Sequence, residues 1–430
     1  MNLEPSIALA ISMVVAACAG PIPAHGTDRS QPRSDPSPIQ LIFHTSRKMG
    51  EAPLAVFFDA TQTKGLTEGD FVNSSFFWNF GDQDTDPVGN DEADTGFLAA
   101  HVFRKPGIYR VTCHVWDKRG RRGQAKGRVE VSAFNGETYF VATRGSDANP
   151  GTIQRPLRTV KYALEHKARP HTRILFRRGD TFDFGRVNCR NKDGPVIVGS
   201  YRERRHADLP PPILRAHAAS GAAFALGGAR DWRIRDLHVV NADLKQSTAF
   251  GGGDGAWHLQ FEDLQVEGFN MGFYLGRPPA TTDGFLIFGC NINDVATYGV
   301  FGMANRFAFV DSAIKDQGAN GHGIRVASGQ KTIIHNSHFT SRHKAFTSVT
   351  LRGKGNGTTN SQAVITGNSF DRTAQSGPQN TGYSENVSDV LWEKNRFIDG
   401  SPVHGSIGLL ITASRVTVRE NLFFNVNTAV

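Results

Sequence analysis

Residues 365 to 370 read Ile365-Thr366-Gly367-Asn368-Ser369-Phe370, and variants of this hexapeptide recur through the C-terminal part of the chain. Each copy begins and ends on an apolar residue, and most carry a small residue or Asn in fourth place. The fourth places form one column of eight residues: Leu237, Leu264, Cys290, Ser312, Ser337, Asn368, Asn395 and Asn421. The successive gaps in this column are 27, 26, 22, 25, 31, 27 and 26 residues.

A column that tolerates insertions but loses no member is typical of a solenoid, in which each repeat is one coil and loops leave at the corners. Propeller blades repeat at about 40 residues or more, and leucine-rich repeats need a Leu spacing that is absent here. We therefore predict an all-β chain in which residues 137–430 form a right-handed, single-stranded parallel β-helix. Asn suits its turns because Asn tolerates the left-handed conformation and its amide can bond the next coil.

The start of this unit carries a family resemblance. Residues 139–152 (Tyr-Phe-Val-Ala-Thr-Arg-Gly-Ser-Asp-Ala-Asn-Pro-Gly-Thr) and residues 155–160 (Arg-Pro-Leu-Arg-Thr-Val) resemble the N-terminal segment of secreted, pectate-lyase-like β-helix proteins. That resemblance implies an N-terminal helix that caps the open end of the solenoid. Residues 159–167 fit such a helix, with Val160, Ala163 and Leu164 on one face. The reaction stays open, because this fold hosts lyases, hydrolases, epimerases and non-catalytic binders.

The first folded unit is predicted at residues 40–133, where apolar and polar residues alternate in short runs separated by turns. This pattern indicates a small antiparallel, immunoglobulin-like β-sandwich. Residues 78–82 (Trp-Asn-Phe-Gly-Asp) and 106–111 (Pro-Gly-Ile-Tyr-Arg-Val) also resemble a PKD domain, a module of surface proteins. The resemblance implies a spacer or a binding module rather than a catalytic unit.

The N-terminus reads as an export signal over residues 1–20. Its apolar run, residues 7–17, spans 11 residues and is too short to cross a bilayer in the mature protein. Val15-Ala16-Ala17-Cys18 resembles a bacterial lipobox, which implies a lipid on Cys18 as the one membrane attachment. Residues 21–39 contain five Pro and predict a flexible linker. We therefore expect a secreted, periplasmic or cell-surface protein.

Composition narrows the partners of this 430-residue chain. Lys and Arg number 48 against 40 Asp and Glu, a net charge of +8 with His neutral, which favours an acidic partner. Nucleic acid is not expected, because aromatic residues do not interleave with the basic ones in a stacking pattern. The four Cys are far apart with no CxxC pair, so they predict buried thiols rather than a zinc site or disulfide framework. Charge alone does not choose between an anionic polysaccharide and an anionic surface, and the resemblance to pectate-lyase-like proteins implies an acidic polysaccharide as the partner.

Candidate chemistry lies where side chains of consecutive coils stack on an outer face. His322 and Arg325 share one coil, and Tyr298 lies one coil earlier because Tyr298-Gly299-Val300 parallels His322-Gly323-Ile324. Further basic residues follow in the sequence: His335, His338, Arg342, His343, Lys344 and Arg352. The alternative interpretation is a solvated basic face of a basic protein.

Cleavage of a uronate chain by β-elimination needs a cation at the carboxylate, a base for the C5 proton and an acid for the leaving oxygen. We assign Arg325 or Lys344 as base or carboxylate neutraliser, Arg352 to neutralisation or protonation, and His322 with Tyr298 to proton transfer. Residues 350–356 (Thr-Leu-Arg-Gly-Lys-Gly-Asn) also resemble the Leu-Arg-x-Gly-Asn segment of alginate and chondroitin lyases with this fold. That resemblance implies a catalytic acid at Arg352, although one extra Lys interrupts the motif.

Two carboxylates predict a cation site. Asp294 and Asp316 each follow the last apolar residue of a hexapeptide by two positions, one coil apart. Stacked carboxylates repel unless a cation lies between them, so we expect Ca²⁺ there, with turn-capping Asp residues as the alternative.

The predicted function is an exported carbohydrate-active protein that binds an acidic polysaccharide and cleaves it by β-elimination. A non-catalytic adhesin or matrix-binding β-helix is the first alternative. A glycoside hydrolase that uses Asp294, Asp311 and Asp316 is the second.

Overall fold

The computed structural model describes residues 9–13, 38–82, 94–203, 208–242, 247–253, 255–276, 282–315, 321–327, 329–340, 347–353, 360–372, 380–399, 407–426 and 428–430. Strands account for 60% of the structure and helices for 3%, which confirms the all-β prediction. Within these ranges no helix is long and apolar enough to cross a membrane. Of the predicted export signal only strand β1 (Leu9–Met13) is described, and it pairs antiparallel with the last strand of the chain. Cys18 lies outside the described residues.

The predicted sandwich is formed by short strands that precede the solenoid. They are β2 (His44–Thr45), β3 (Met49–Glu51), β4 (Leu54–Asp59), β5 (Ser75–Asn79), β6 (Leu98–Phe103), β7 (Gly107–Trp116) and β8 (Arg122–Ser132), with a 3-10 helix at Thr67–Gly69. One sheet has the order β2-β4-β6 and the other β3-β8-β7-β5. Trp78 is fully buried between them, and its Nε1 donates a hydrogen bond to the Gly96 carbonyl at 2.8 Å. This side chain therefore anchors the sandwich core.

The solenoid has three walls of parallel strands. Strand β9 (Glu137–Val141) pairs with the first strand of wall one. Wall one contains β10 (Thr172–Arg177), β13 (Asp193–Tyr201), β16 (Arg230–Arg235), β19 (Trp257–Glu262), β22 (Thr282–Phe288), β25 (Ala304–Val310), β28 (Gln330–His335) and β31 (Asn360–Thr366). Wall two contains β11 (Thr181–Phe184), β14 (Ile213–Ala216), β17 (His238–Asn241), β20 (Gln265–Glu267), β23 (Asn291–Asn293), β26 (Ala313–Lys315), β29 (His338–Thr340), β32 (Ser369–Arg372) and β34 (Arg396–Asp399).

Wall three contains β12 (Val187–Asn188), β15 (Ala222–Ala225), β18 (Thr248–Gly251), β21 (Met271–Gly276), β24 (Tyr298–Gly302), β27 (His322–Ala327) and β30 (Thr347–Arg352). Two long strands then turn from wall three into wall one: β33 (Asn380–Glu393) and β35 (Ile407–Phe424). The end of β35 continues into wall two, where it pairs with β34. Each strand pairs in parallel with the strand three places later in the order for most of the rod. The predicted parallel β-helix is confirmed, with about eight turns.

The N-terminal end of the rod is covered by one short helical segment, as predicted. The α-helix α1 (Val160–Tyr162) continues directly into a π-helical turn (Ala163–Lys167), so only its first part is α-helical. The Thr159 hydroxyl caps it by accepting a hydrogen bond from the Tyr162 backbone N–H at 3.2 Å. Val160, Ala163 and Leu164 are fully buried against the first coil. Their burial closes the apolar end of the rod.

The column found in the sequence is a vertical line of buried side chains. From Cys290 to Asn421, the backbone N–H of each column residue donates to the side-chain oxygen of the next one, at 2.9–3.2 Å. The left-handed residue is not the column residue itself but the one before it, for example Asn336 (φ 45°) before Ser337 and Lys394 (φ 56°) before Asn395. The expectation that Asn would adopt the left-handed conformation was therefore wrong, whereas its amide does bond the neighbouring coil.

The sandwich is docked along wall one. The outward side chains of that wall form a column in which no residue is more than 2% exposed: Arg233, Gln260, Leu286, Ala308, Ile333, Val364, Leu391 and Thr417. Its apolar members pack into one core with the sandwich. At one end Arg233 donates to the Pro53 carbonyl at 3.0 Å, and near the other end Arg419 donates to the Asn73 carbonyl at 3.1 Å. The PKD-like unit is therefore fixed to the solenoid rather than tethered as a free spacer.

The Cys residues behave as predicted where they are described. Cys113, Cys189 and Cys290 are buried free thiols. Burial raises the pKa of Cys189 to about 12, so this thiol stays protonated at neutral pH. These sulfurs fill space in the cores.

Candidate functional site

The predicted Tyr298, His322 and Arg325 meet on wall three. Tyr298 begins β24 and is the register partner of His322, which begins β27 one coil later. Phe301 is likewise the partner of Arg325. The parallel between Tyr298-Gly299-Val300 and His322-Gly323-Ile324 thus predicted the contact correctly.

Aromatic stacking holds these residues together. The Tyr298 ring is stacked on Phe301, with centroids 4.6 Å apart, and on His322, with centroids 5.6 Å apart and planes within 5°. The Arg325 guanidinium lies 6.0 Å from the Phe301 centroid, and its Nη1 donates to the Tyr298 hydroxyl at 3.4 Å. Tyr274 adds a further ring 6.1 Å from Phe301. We call these five residues the aromatic–cationic patch.

Burial and charge set the state of the His322 imidazole. Its Nδ1 lies 2.8 Å from the Thr350 hydroxyl on the next coil. Burial first, and then the positive charge of Arg325, lower the pKa of His322 to about 4. The ring is therefore neutral at pH 7, with one nitrogen able to accept a proton or a hydrogen bond.

Arg352 lies beside the patch but has a partner of its own. It is the register partner of Ala327 on the coil before and of Glu385 on the coil after. Its backbone is displaced from Arg325 by one coil and two residues, roughly 8 Å. The Arg352 Nε lies 2.6 Å from a Glu385 carboxylate oxygen. The charge of Arg352 is thus offset by the Glu385 carboxylate. Arg325, in contrast, contacts the Tyr298 hydroxyl and the Phe301 ring.

The predicted cation site is described only in part. Asp294 is exposed at the corner after β23, with φ 47°, and its N–H donates to the Lys315 carbonyl at 3.3 Å. Asp316 and Lys344 lie outside the described residues, as do Arg342 and His343. Across the described ranges no cluster of three or more metal-ligating side chains occurs. The calcium site at Asp294 and Asp316 stays a prediction.

Two members of the predicted cationic cluster belong to other walls. His335 ends β28 on wall one, where its Nε2 lies 2.8 Å from the Asp94 carboxylate of the sandwich. His338 begins β29 on wall two. Grouping them with His322 was wrong because they are close in sequence but occupy different faces of the coil. His335 is the second and His338 the fifth residue of their hexapeptide. Because the hexapeptide covers walls one and two, these positions already excluded wall three.

The carboxylates proposed for hydrolysis are also separated. Asp311 lies at the corner before β26, whereas Asp294 lies at the corner after β23, so wall two stands between them. Wall two is about five residues wide from corner to corner, which corresponds to roughly 15 Å between the two positions. The Asp311 carboxylate instead accepts a hydrogen bond from Asn336 Nδ2 at 2.7 Å. These two residues therefore do not share a site.

Sequence reasoning missed Tyr274, Phe301 and Thr350. They share one register column of wall three with Arg325, at spacings of 27, 24 and 25 residues. The regular spacing was the available signal. The hexapeptide alignment did not show it because that repeat covers walls one and two.

Comparison with known families agrees with this architecture. The PKD domain family model matches residues 44–132, and the right-handed β-helix region model matches residues 280–430. The chain therefore contains a PKD domain followed by a right-handed parallel β-helix.

The chain is also similar to the uncharacterized protein YwoF of Bacillus subtilis (strain 168). The two are 26% identical over 144 residues, which cover 31% of this chain and 29% of YwoF. The match thus spans less than a third of that relative's length.

Three solved structures are similar to this chain at a low level. The GH136 lacto-N-biosidase from Eubacterium ramulus is 13% identical at a TM-score of 0.43, covering 66% of this chain and 68% of that one. The mannuronan C-5 epimerase AlgE6 A-module of Azotobacter vinelandii is 11% identical at 0.34, with 66% and 88% covered. The family 28 exopolygalacturonase of Yersinia enterocolitica is 10% identical at 0.29, with 91% and 98% covered. Similarity at this level establishes neither activity nor substrate.

Proposed function

We propose that this protein binds an acidic, uronate-containing polysaccharide along wall three and cleaves it by β-elimination. The aromatic–cationic patch carries the proposal. In it, one Arg is held between a phenol hydroxyl and an aromatic face, beside an imidazole that is neutral at pH 7. Stacked aromatic side chains with one fixed cation suit a ligand that combines apolar sugar faces with a carboxylate.

Binding follows from the two kinds of side chain. Tyr274, Tyr298 and Phe301 give aromatic surface on consecutive coils, against which sugar rings can pack. Arg325 presents its guanidinium to the carboxylate at C6 of a uronate, since guanidinium matches carboxylate geometry. Arg352, already paired with Glu385, would contact a sugar one position further along the rod.

The proposed reaction moves one proton at each end of the bond that is broken. Neutral His322 takes the proton from C5, a C4=C5 double bond forms, and the C4–O bond breaks. The Tyr298 hydroxyl donates its proton to the leaving oxygen. Arg325 stabilises the negative charge that develops beside the C6 carboxylate, which lowers the barrier. Asp294, at the corner before wall three, stays with Asp316 the proposed pair of Ca²⁺ ligands.

The test is to incubate the protein with alginate, pectate and glycosaminoglycans, with Ca²⁺ and with a chelator, and to follow ultraviolet absorbance of the unsaturated uronate. We expect absorbance to rise on one acidic polymer and to be abolished in Arg325→Ala. Arg215→Ala removes an exposed Arg from wall two, away from the aromatic–cationic patch, and is the control. Binding without absorbance on every polymer would overturn the lyase and favour a non-catalytic adhesin.

A further inference from the structure

A cleft of about 460 Å³ lies away from wall three, where the PKD domain meets the first coils of wall one. Its lining includes Arg47, Glu51, His171, Arg230, Trp257 and His258. Both units contribute, because Arg47 and Glu51 belong to the domain and the others to the solenoid. The cleft therefore exists only in the docked arrangement.

Trp257 is the most conspicuous side chain at this cleft. It is the first residue of β19 and is 46% exposed, whereas Trp232 one coil earlier is 1% exposed in the core. Its ring packs edge-on against His258, with centroids 4.7 Å apart. A half-exposed indole fixed by one neighbour offers an apolar face to a ligand.

Three buried polar atoms at the cleft lack hydrogen-bond partners among the described residues: Arg47 Nε, Glu51 Oε2 and His258 Nε2. A buried polar atom without a partner destabilises a fold, so such atoms are uncommon unless a ligand satisfies them. Together they offer a donor, an acceptor and a ring nitrogen. This set matches the hydroxyl groups of a sugar.

The cations of the cleft are already paired. Arg47 Nη1 lies 2.9 Å and Arg233 Nη2 lies 2.8 Å from the Asp231 carboxylate, and Arg230 lies 3.8 Å from Asp193. His171 Nδ1 lies 3.4 Å from Oε1 of Glu51, the other oxygen of that carboxylate. Burial, followed by the charge of Arg47, lowers the pKa of His258 to about 3, so this ring is uncharged at pH 7. The cleft thus has hydrogen-bonding capacity without a spare positive charge for a carboxylate.

We propose that this cleft is a second carbohydrate site, which binds a neutral hexopyranose unit. One face of the sugar ring packs on Trp257. Its hydroxyl groups bond the side chains of Arg47, Glu51 and His258, which rotate on binding to bring Arg47 Nε, Glu51 Oε2 and His258 Nε2 into contact with the sugar, because these three atoms are buried in this structure. The site is independent of the proposed cleavage, because it lies on a different wall.

The experiment labels the full chain with 5-fluorotryptophan and follows the ¹⁹F resonance of Trp257, assigned by its loss in Trp257→Phe. The probes are cellohexaose, β-1,4-mannohexaose and chitohexaose, with hexagalacturonate and hexamannuronate as acidic counterparts. We expect a neutral oligosaccharide to shift the Trp257 resonance and to leave that of Trp116, on the sandwich, unchanged. Glu51→Ala should weaken this binding by about tenfold, since a hydrogen bond to a charged group is lost.

Two results would overturn the site. One is no shift of Trp257 with any neutral probe, and the other is a shift with the uronates alone. Because the readout is occupancy of the cleft and not cleavage, its outcome is separate from that of the lyase assay. Glu51→Gln keeps the side-chain shape and shows whether a loss of binding comes from the carboxylate or from altered packing.

Discussion

Oδ1 of Asn395 accepts two hydrogen bonds from Asn368 on the coil before, from the backbone N–H and from the side-chain amide, both at 3.0 Å. The Asn395 amide in turn donates to the Ile365 carbonyl at 2.8 Å and to Asn421 Oδ1 at 2.9 Å. These hydrogen bonds lie at a corner of the coil, where Asn395 is fully buried. One side chain thus joins three coils and satisfies backbone groups that water cannot reach.

Replacing Asn395 by Ala should destabilise the solenoid strongly. The Asn368 N–H and the Ile365 carbonyl both lose their partner, and each unsatisfied buried group costs about 1–3 kcal/mol. We expect the free energy of unfolding in urea to fall by at least about 2 kcal/mol. Asn305→Ala is the control, because that half-exposed side chain has no hydrogen bond to any described residue. An equal loss of unfolding free energy in both variants would show that the hydrogen bonds of Asn395 are not the cause.

The residue before each column position adopts a left-handed backbone, and this gives a second test. Glu420 precedes Asn421, is exposed, and has φ 55°. Glu420→Gly should be tolerated or slightly stabilising, because Gly has no Cβ to clash in this region. Glu420→Val should cost about 1–2 kcal/mol in the same unfolding experiment. Equal stabilities of the two variants would contradict the assigned conformation.

The docked PKD domain can be released by one substitution. Leu391 points outward from wall one, is fully buried, and packs in the core shared with the domain. In Leu391→Asp a carboxylate would be buried without a partner, so we expect the two units to separate while each keeps its own core. Limited proteolysis between residues 133 and 137 should then be faster. Ile108→Asp, at a 63% exposed position of the domain, should be cleaved like the unmodified chain.

The same interface predicts a pH dependence. Burial is the largest single influence on the pKa of His335 and lowers it, but the Asp94 carboxylate 2.8 Å away, the charge of Asp311 and a hydrogen bond at Thr366 together raise it more, so the net shift is upward. A raised folded-state pKa stabilises the fold below the unfolded value of about 6.5, and that stabilisation is lost as pH rises through the folded value. We expect the unfolding free energy to decrease from mildly acidic to alkaline pH. In His335→Gln this decrease should be absent. If the variant instead shows the same dependence of unfolding free energy on pH as the unmodified protein, the His335–Asp94 pair is not its cause.

Much of this fold could be predicted, because a repeat that places one buried residue per coil leaves a mark in the sequence. Asn368, Asn395 and Asn421 are such residues. The left-handed corners were predictable in part, because six of the eight residues that precede the column are Asp, Asn or Gly, the types that adopt this conformation most readily. Lys394 and Glu420 adopt the same conformation without that preference, so the surrounding backbone geometry determines it at these two corners.

The site was predictable to a similar degree. Tyr298 and His322 were paired through their Gly-containing neighbours, whereas Phe301 was missed because its column lies outside the repeat. His335 was misplaced because its partner, Asp94, belongs to the other unit. The outward apolar residues of wall one, such as Ile333, have their explanation in docking, which no pattern within the solenoid contains.

The last prediction concerns the protonation of His322, on which the proposed reaction depends. Burial and then Arg325 lower its pKa to about 4, so NMR titration of the His322 ring should give a midpoint near that value. In Arg325→Gln the burial remains and the like charge is removed, so the midpoint should move upward. Cleavage by the unmodified protein should persist through mildly acidic pH and be lost as pH falls through about 4, since only the unprotonated ring can accept the C5 proton. A His322 midpoint near the ordinary value of about 6.5 would mean that the ring is solvated, and it could not then be the buried base proposed.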